Sequence, residues 1–177
     1  MIFTETKLKG AFIIDLELVK DDRGFFARTW CKKEFSKYGL NPNLVQCSTS
    51  LNLKKGTIRG MHFQLFPYEE AKLVRCTRGS MFDVIIDLRP TSKTFKEWVN
   101  YELTSENRKM IYIPEGFAHG FQTLEDNTEV LYHMSEYHLP EYATGVRWND
   151  PAFNINWPQK NNIVISEKDK SYPDFKG

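Results

Sequence analysis

The sequence predicts an all-β protein, arranged as a sandwich or a barrel and carrying only a few short helices. Short β-branched and aromatic runs recur along the chain, turn residues separate them, and helical patterning is confined to brief segments. A chain of 177 residues can bury a sizeable core, and no repeat, low-complexity stretch or linker divides it. We therefore expect a single domain over residues 1–177.

The outer elements follow in chain order. A β-type run at 11–19 ends in a turn at 20–24, and a helical pattern at 32–38 stops at Gly39. Further strands are expected at 110–113, 129–135 and 145–148, and a helical turn is expected at 166–169.

The middle of the chain carries the strongest strand signal. Segments 73–77 and 82–88 flank Arg78-Gly79-Ser80 in a pattern typical of a tight hairpin. Within 82–88 apolar residues alternate with a series that includes Asp83 and Asp87, which indicates one packed face and one partly polar face.

Composition excludes several classes of protein. Hydrophobic residues make up 41% and charged residues 27%, which is typical of a soluble globular chain. With 24 Lys and Arg against 23 Asp and Glu, the chain lacks the basic excess of nucleic-acid binders, so a few placed cations must hold any anionic ligand. No signal peptide opens the chain, and no apolar run approaches the ~20 residues of a membrane helix. We expect a cytoplasmic protein without a membrane or nucleic-acid partner.

The sequence gives little support for a metal site or for a disulfide framework. The three cysteines lack a C-x-x-C spacing, and His62 is not followed by a second histidine two residues on. The H-x-H pair that aims two imidazoles from one strand at an ion is therefore missing. We expect no bound metal.

Two groups of polar residues stand out from apolar strand sequence. Arg59 and Lys72 would each be taken for surface cations on edge strands, but their grouping with His62 and Gln64 favours a polar cavity wall. His119 lies in a glycine-flanked aromatic turn, where it is either close to a ligand or a core histidine bonded to backbone groups.

Two further candidates have ordinary structural explanations. Tyr132 shares a strand face with Val130 and Met134, which is typical of a core aromatic with a tethered hydroxyl. The spacing of Ser166 and Asp169 resembles a helix capping box, and this pattern alone favours the cap over catalysis.

Taken in order, these stretches resemble the dTDP-4-dehydrorhamnose 3,5-epimerase family of jelly-roll, cupin-like enzymes. The resemblance covers nearly the whole chain and implies a double-stranded β-helix, or jelly-roll, barrel with a few short helices. It is carried by Asp22-Arg23-Gly24-Phe25-Phe26, Gly56-x-x-Arg59-Gly60-x-His62-x-Gln64, Lys72-Leu73-Val74, Asp83-Val84-x-x-Asp87-Leu88-Arg89, Ile113-Pro114-x-Gly116-Phe117-Ala118-His119-Gly120-Phe121, Tyr132, Trp148-Asn149-Asp150-Pro151 and Ser166-Glu167-Lys168-Asp169.

The resemblance also implies a role for each site residue. His62 is the expected general base, Asp169 its supporting carboxylate, and Tyr132 the acid on the opposite face of the sugar. Lys72 would act at the C4 oxygen with His119 near the sugar. The remaining substrate-binding residues that the resemblance implies are Arg23 and Arg59 at the diphosphate, Phe26, Arg28, Gln46, Ser48 and Tyr137.

The implied reaction inverts C3, C5 or both in a nucleotide-linked 4-keto-6-deoxy sugar, without a cofactor, in surface-polysaccharide sugar biosynthesis. A homodimer with exchanged N-terminal strands and shared sites is also implied, with Arg23 reaching the neighbouring site.

Two departures from the family pattern bear on the substrate. Arg28 stands where many relatives carry a glutamate associated with thymine, and Cys47 stands where relatives often have asparagine. A carboxylate can accept a base N–H whereas arginine can only donate, so dTDP, GDP and CDP all remain open. The alternatives are a C3-only epimerase of a hexose or heptose, a 3,4-ketoisomerase, and a sugar-nucleotide-binding cupin without turnover.

Overall fold

The computed structural model describes residues 1–176, so the last residue of the expected single domain, Gly177, lies outside the described residues. Short strands follow one another along almost the whole chain, with one short helix near each end. In chain order the elements are β1 Ile2–Glu5, β2 Phe12–Asp15, β3 Val19–Asp21, β4 Gly24–Phe26, α1 Lys32–Lys37, β5 Gln46–Asn52, β6 Ile58–Gln64, β7 Lys72–Arg78, β8 Ser80–Asp87, β9 Trp98–Thr104, β10 Met110–Ile113, β11 Phe117–Thr123, β12 Thr128–Met134, β13 Ala143–Gly145 and α2 Glu167–Lys170.

Two antiparallel sheets form the body of the protein. One has six strands in the order β1-β2-β10-β7-β12-β5, and the other has five in the order β13-β6-β11-β8-β9. The third sheet is the separate two-stranded hairpin of β3 and β4. This arrangement confirms the predicted all-β class with short helices, and none of the helices in residues 1–176 is long and apolar enough to cross a membrane.

Apolar side chains pack in three clusters. The first includes Val74 and Val130 from the six-stranded sheet with Ile85 and Phe121 from the five-stranded sheet, so it fills the space between the sheets. In the second, Phe35 of α1 packs with residues of β2, β7 and β10. In the third, residues from 146 onward pack on β6, β8 and β11. Helix α1 and the C-terminal part of the chain therefore pack on residues of opposite sheets.

The predicted hairpin at Gly79 is wrong. Strands β7 and β8 meet at this residue, but β7 belongs to the six-stranded sheet and β8 to the five-stranded sheet. Gly79 has a φ of +76°, and a Cβ there would lie 2.7 Å from Oγ1 of Thr128. A glycine at this position predicts a sharp turn, but it does not show whether the two flanking strands pair with each other. Here the two strands enter different sheets.

The two faces predicted for β8 are present, and the partly polar one is buried as well. Asp83 and Asp87 are fully buried, because the third cluster covers one face of the strand while the other faces the opposite sheet. Each of the two carboxylates is paired with a basic side chain. Elsewhere the predicted strand at 110–113 agrees with β10, whereas β13 ends at Gly145, where the predicted strand begins.

Candidate active site

A cavity of about 480 Å³ opens between the two sheets, and its walls carry most of the polar residues that the sequence singles out. His62 on β6 and His119 on β11 line it from the five-stranded sheet. Tyr132 on β12 and Lys72 on β7 line it from the six-stranded sheet. Because the strands belong to facing sheets, the two histidines and the tyrosine are on opposite walls.

His62 is held by a carboxylate from far along the chain. Its Nε2 atom lies 2.8 Å from Oδ1 of Asp169, and the other carboxylate oxygen accepts the N–H of Gly60 at 3.2 Å. Burial alone would raise the pKa of Asp169, but the hydrogen bonds from His62 and Gly60 hold it below its usual value. The ionised Asp169 therefore fixes one ring nitrogen of His62 and leaves the other for chemistry in the cavity.

The predicted N-cap at Ser166 is confirmed, but Asp169 takes part in it only through its main chain. Ser166 is the N-cap of α2, and its hydroxyl accepts the N–H of Asp169 at 3.1 Å. The backbone of Asp169 takes part in the cap while its carboxylate turns to His62. Asp169 therefore has both a role in the helix cap and a role in the cavity.

His119 belongs to a second histidine–carboxylate pair. Its Nε2 atom lies 2.7 Å from Oδ2 of Asp83, a fully buried residue of β8. The alternative in which backbone groups bond this histidine is therefore wrong, because its partner is a carboxylate. The ring of His119 also meets the ring of Tyr132 edge-on at 6.5 Å.

Tyr132 is partly buried against the core between the sheets, and its hydroxyl lies 3.0 Å from Oγ of Ser50 on β5. Burial raises the pKa of this phenol to about 12, although the Ser50 hydrogen bond opposes the shift. The phenol is consequently protonated at neutral pH and can act as a proton donor.

Both predicted cavity cations have side-chain partners. Nζ of Lys72 forms an ion pair with Glu70 at 2.8 Å, and both side chains are nearly buried. Nε of Arg59 donates to Oδ1 of Asn52 at 2.7 Å. Each partner therefore restricts where its cation can lie at the cavity wall.

The remaining expected binding residues fall into two groups. Gln46 and Ser48 line the cavity from β5, although Oε1 of Gln46 also accepts the N–H of His138 at 2.9 Å. Tyr137 is exposed beside it, and its carbonyl accepts a hydrogen bond from Gln64 at 3.1 Å.

The second group lies on the outside of the protomer. Arg23 is on the hairpin of β3 and β4, with its side chain 89% exposed and bonded to Asp21 at 2.6 Å. Phe26 is exposed on the same hairpin, and Arg28 pairs with Glu34 at 3.1 Å. Within residues 1–176 of one protomer, these three side chains are not among those that line the cavity.

Several cavity residues carry no assignment from the sequence. Ser50, Glu70, Lys168 and Tyr172 line the cavity, and Asp83 stands behind His119. Lys168 is adjacent to Asp169, so the capping pattern already brings it to the site, whereas Ser50 follows Ser48 by one strand period. Asp83 and Glu70 lack such a signal, because the partner of Asp83 lies on another strand and Glu70 lies in a loop just before β7.

No three His, Cys, Asp or Glu side chains of the described chain, residues 1–176, come together as a candidate metal centre. Nε2 of His62 and Nε2 of His119 are each directed at an aspartate.

Comparisons with known proteins agree with this architecture. A profile of the dTDP-4-dehydrorhamnose 3,5-epimerase family matches residues 5–177. A dTDP-4-dehydrorhamnose 3,5-epimerase from Sinorhizobium fredii is 46% identical over 174 residues, which cover 96% of this chain and 89% of the relative.

Solved structures are similar in fold. The dTDP-4-dehydrorhamnose 3,5-epimerase of Bacillus anthracis with TDP and PPi bound has a TM-score of 0.94 at 39% identity, covering 98% of this chain and 99% of that one. A 3'-monoepimerase from Streptomyces bikiniensis, in complex with dTDP-quinovose, has a TM-score of 0.88 at 25% identity, covering 96% and 85%. The predicted cupin-like fold and isomerase class are confirmed. The chain therefore belongs to the dTDP-4-dehydrorhamnose 3,5-epimerase family.

Proposed function

We propose that this chain inverts C3 and C5 of a dTDP-linked 4-keto-6-deoxy sugar in the cavity between its sheets. One observation carries the proposal: His62 and Tyr132 line the same cavity from opposite sheets. Inversion of a carbon requires removal of a proton from one face and its return to the other. A base and an acid on facing walls meet that requirement.

The first step is removal of a proton from the carbon beside the C4 ketone, with His62 as the base. The ring nitrogen not bonded to Asp169 accepts the proton, and the positive imidazolium that forms is stabilised by the ionised carboxylate 2.8 Å away. Histidine suits this step because its ordinary pKa is near neutral, so it can take up a proton and release it again.

The enolate formed in this step carries negative charge on the C4 oxygen, and Lys72 is the residue proposed to stabilise it. Its ammonium group is nearly buried, which strengthens its electrostatic effect on a charge developing in the cavity. The Glu70 carboxylate at 2.8 Å restricts where that ammonium can lie.

The second step is reprotonation from the opposite face, with Tyr132 as the donor. The raised pKa keeps the phenol protonated until the enolate carbon, which is a stronger base than the phenolate, takes its proton. The hydroxyl of Ser50 lies 3.0 Å from the phenol oxygen and can stabilise the phenolate left behind. His62 then releases its proton to solvent, and the Tyr132 phenolate takes up a proton from solvent, so that both residues return to their starting states.

The nucleotide end of the substrate is the next part of the proposal. The epimerases from Bacillus anthracis and Streptomyces bikiniensis, with TDP and dTDP-quinovose bound, support a thymidine nucleotide, and Arg59 is the cavity cation proposed for the diphosphate. We propose that Arg23, Phe26 and Arg28 complete the site of a neighbouring protomer in a homodimer, because they are exposed outside their own cavity. A cytoplasmic location and a single domain over 1–177 belong to the same proposal.

The proposal is tested by solvent exchange. Purified protein is incubated in deuterium oxide with dTDP-, GDP- and CDP-linked 4-keto-6-deoxyhexoses, and deuterium at C3 and C5 is followed by NMR. We expect incorporation at both carbons with the dTDP sugar. Exchange with none of the three would refute the enzymatic proposal and favour a binding protein without turnover.

A C3-only epimerase is the second candidate. The similarity to the Streptomyces bikiniensis 3'-monoepimerase supports it, since the same fold is present there at 25% identity. Deuterium at C3 alone, with C5 unlabelled after prolonged incubation, would select this candidate.

A further inference from the structure

Residues 163–176, which we call the C-terminal strap, lie outside both sheets and bring Asp169 to His62. The strap is attached before α2 by two main-chain hydrogen bonds. Ile58 N–H donates to the carbonyl of Val164 at 2.8 Å, and Val164 N–H donates to the carbonyl of Gly56 at 3.2 Å. This first attachment joins the strap to the strand that carries His62.

Helix α2 cannot hold itself in place. It spans four residues, Glu167–Lys170, and isolated helices shorter than about 12 residues are marginal in water even with good helix formers. The Ser166 cap satisfies one N–H but gives no tertiary contact. The position of Asp169 therefore depends on attachments on both sides of the helix.

The second attachment is centred on Asp150. This residue is only 2% exposed, and its Oδ2 atom accepts the N–H of Phe175 at 2.5 Å. Its other oxygen accepts the N–H of Ala152 at 2.8 Å. A buried carboxylate that accepts main-chain N–H groups forms strong, charge-assisted hydrogen bonds, so this contact fixes the end of the strap.

Packing supports the same attachment. The ring of Phe175 lies 5.4 Å from that of Phe153 and 6.1 Å from that of Phe95. The ion pair of Arg147 and Asp174 at 2.6 Å adds little, because its side chains are 34% and 51% exposed.

We propose that Asp150 is a positioning residue for the general base, which holds the strap through Phe175 so that Asp169 meets His62. The inference rests on the proposed roles of His62 and Asp169. It gives a role in the site to the Trp148-Asn149-Asp150-Pro151 motif, although Asp150 is not among the residues that line the cavity.

The test compares Asp150→Ala with Asp150→Asn. Alanine removes both acceptors, so we expect the turnover number for deuterium exchange to fall about 10- to 100-fold with KM little changed, as for a misplaced catalytic group. Asparagine keeps one carbonyl acceptor and should recover most of that loss. If Asp150→Ala does not fold, Phe175→Ala loosens the same attachment from the strap side and should lower turnover in the same way.

Asp87→Ala is the matched control for a general loss of stability. Asp87 is likewise a fully buried aspartate that accepts a main-chain N–H, from Arg89 at 3.1 Å, but it is not among the residues that line the cavity. We expect it to lower the melting temperature while leaving turnover within about twofold. An equal loss of turnover in Asp87→Ala would overturn the positioning role.

A double-mutant cycle separates positioning from a purely structural effect. If Asp150 acts through Asp169, Asp150→Ala should cause no further loss of turnover in an Asp169→Asn background. Losses that multiply would overturn the proposal.

A measurement without turnover keeps this inference apart from the proposed function. The ¹⁵N chemical shifts of the His62 ring report whether Nε2 is bonded to Asp169, even if no substrate exchanges. We expect them to change in Asp150→Ala and to stay unchanged in Asp87→Ala. An unchanged His62 spectrum in Asp150→Ala would overturn the inference, whereas a wild-type protein without exchange would refute only the proposed function.

Discussion

Two histidine–aspartate pairs lie side by side in the cavity, yet they are built differently. His62 and His119 are register partners on adjacent strands, and each directs Nε2 at a carboxylate, at 2.8 Å and 2.7 Å. The His62 side chain is 41% exposed and its aspartate comes from the C-terminal strap. The His119 side chain is 6% exposed, and Asp83 lies on the neighbouring strand β8.

The difference shows that the same pair of side chains serves two purposes. An imidazole that is open to the cavity can exchange protons with a ligand, whereas a buried pair is costly to separate and therefore holds its geometry. The first arrangement suits a base and the second suits a fixed binding group beside it. Substitutions in each pair and on the opposite wall can tell the two purposes apart.

The largest effect is expected for His62→Asn. Removing the proposed base should lower deuterium exchange by about 10²–10⁴-fold, the range for loss of general base catalysis, because asparagine cannot take the proton. Exchange rates measured by NMR check this, with the melting temperature and dTDP binding as controls for folding. Full activity in this variant would show that the base is another residue.

His119→Asn is the matched variant on the other pair. If His119 binds the sugar, as the family resemblance implies, this variant loses a binding group rather than the base, so KM should rise more than the turnover number falls. Steady-state kinetics of both variants decide the matter. If His119→Asn abolished exchange and His62→Asn did not, the two roles would have to be reversed.

Tyr132→Phe tests the opposite wall, with a smaller expected effect. The phenol lies on the wall opposite His62 and His119, and its loss should slow inversion by about 10²-fold because the proposed proton donor is gone. Exchange at C3 should survive in part if water replaces the donor. Separate rates for exchange and for formation of the inverted product check this, and equal rates to wild type would remove Tyr132 from the mechanism.

Asp83→Asn and Asp169→Asn should separate stability from catalysis. Asp83 is fully buried, and its substitution should lower the free energy of unfolding by about 2 kcal/mol, the order of a weakened buried polar contact. Asp169→Asn should instead lower turnover more strongly than it lowers stability, because it acts on the exposed histidine. Urea denaturation and exchange kinetics are measured on both variants. Equal losses of stability and of turnover in the two variants would contradict this separation.

The sequence predicts one of these pairs better than the other. His62 and Lys72 stand out because polar residues interrupt apolar strands, whereas Tyr132 is indicated only by the family resemblance, and the structure places all three in one cavity. The sequence does not predict the pairing of His119 with Asp83, because alternation along one strand does not show which other strand lies beside it. The change of sheet at Gly79 is not predicted either, since a turn signal is local whereas sheet membership depends on the packing of distant segments.

The smallest expected effect is on stability in acid, and it depends on the pair of His62 and Asp169. Hydrogen bonds from His62 and Gly60 hold the pKa of Asp169 below its ordinary value of 3.8 despite burial. As the pH falls, the unfolded chain takes up this proton before the folded one does, so acid favours unfolding. The contribution of Asp169 is therefore complete above the ordinary pKa and is lost as the pH falls through the lowered one. The free energy of unfolding of wild type should thus drop more between pH 6 and pH 3 than that of Asp169→Asn, as measured by urea denaturation at each pH. Parallel curves for the two proteins would mean that the strap carboxylate gains nothing from His62 in the folded state, and the distinction between the two pairs would then rest on exposure alone.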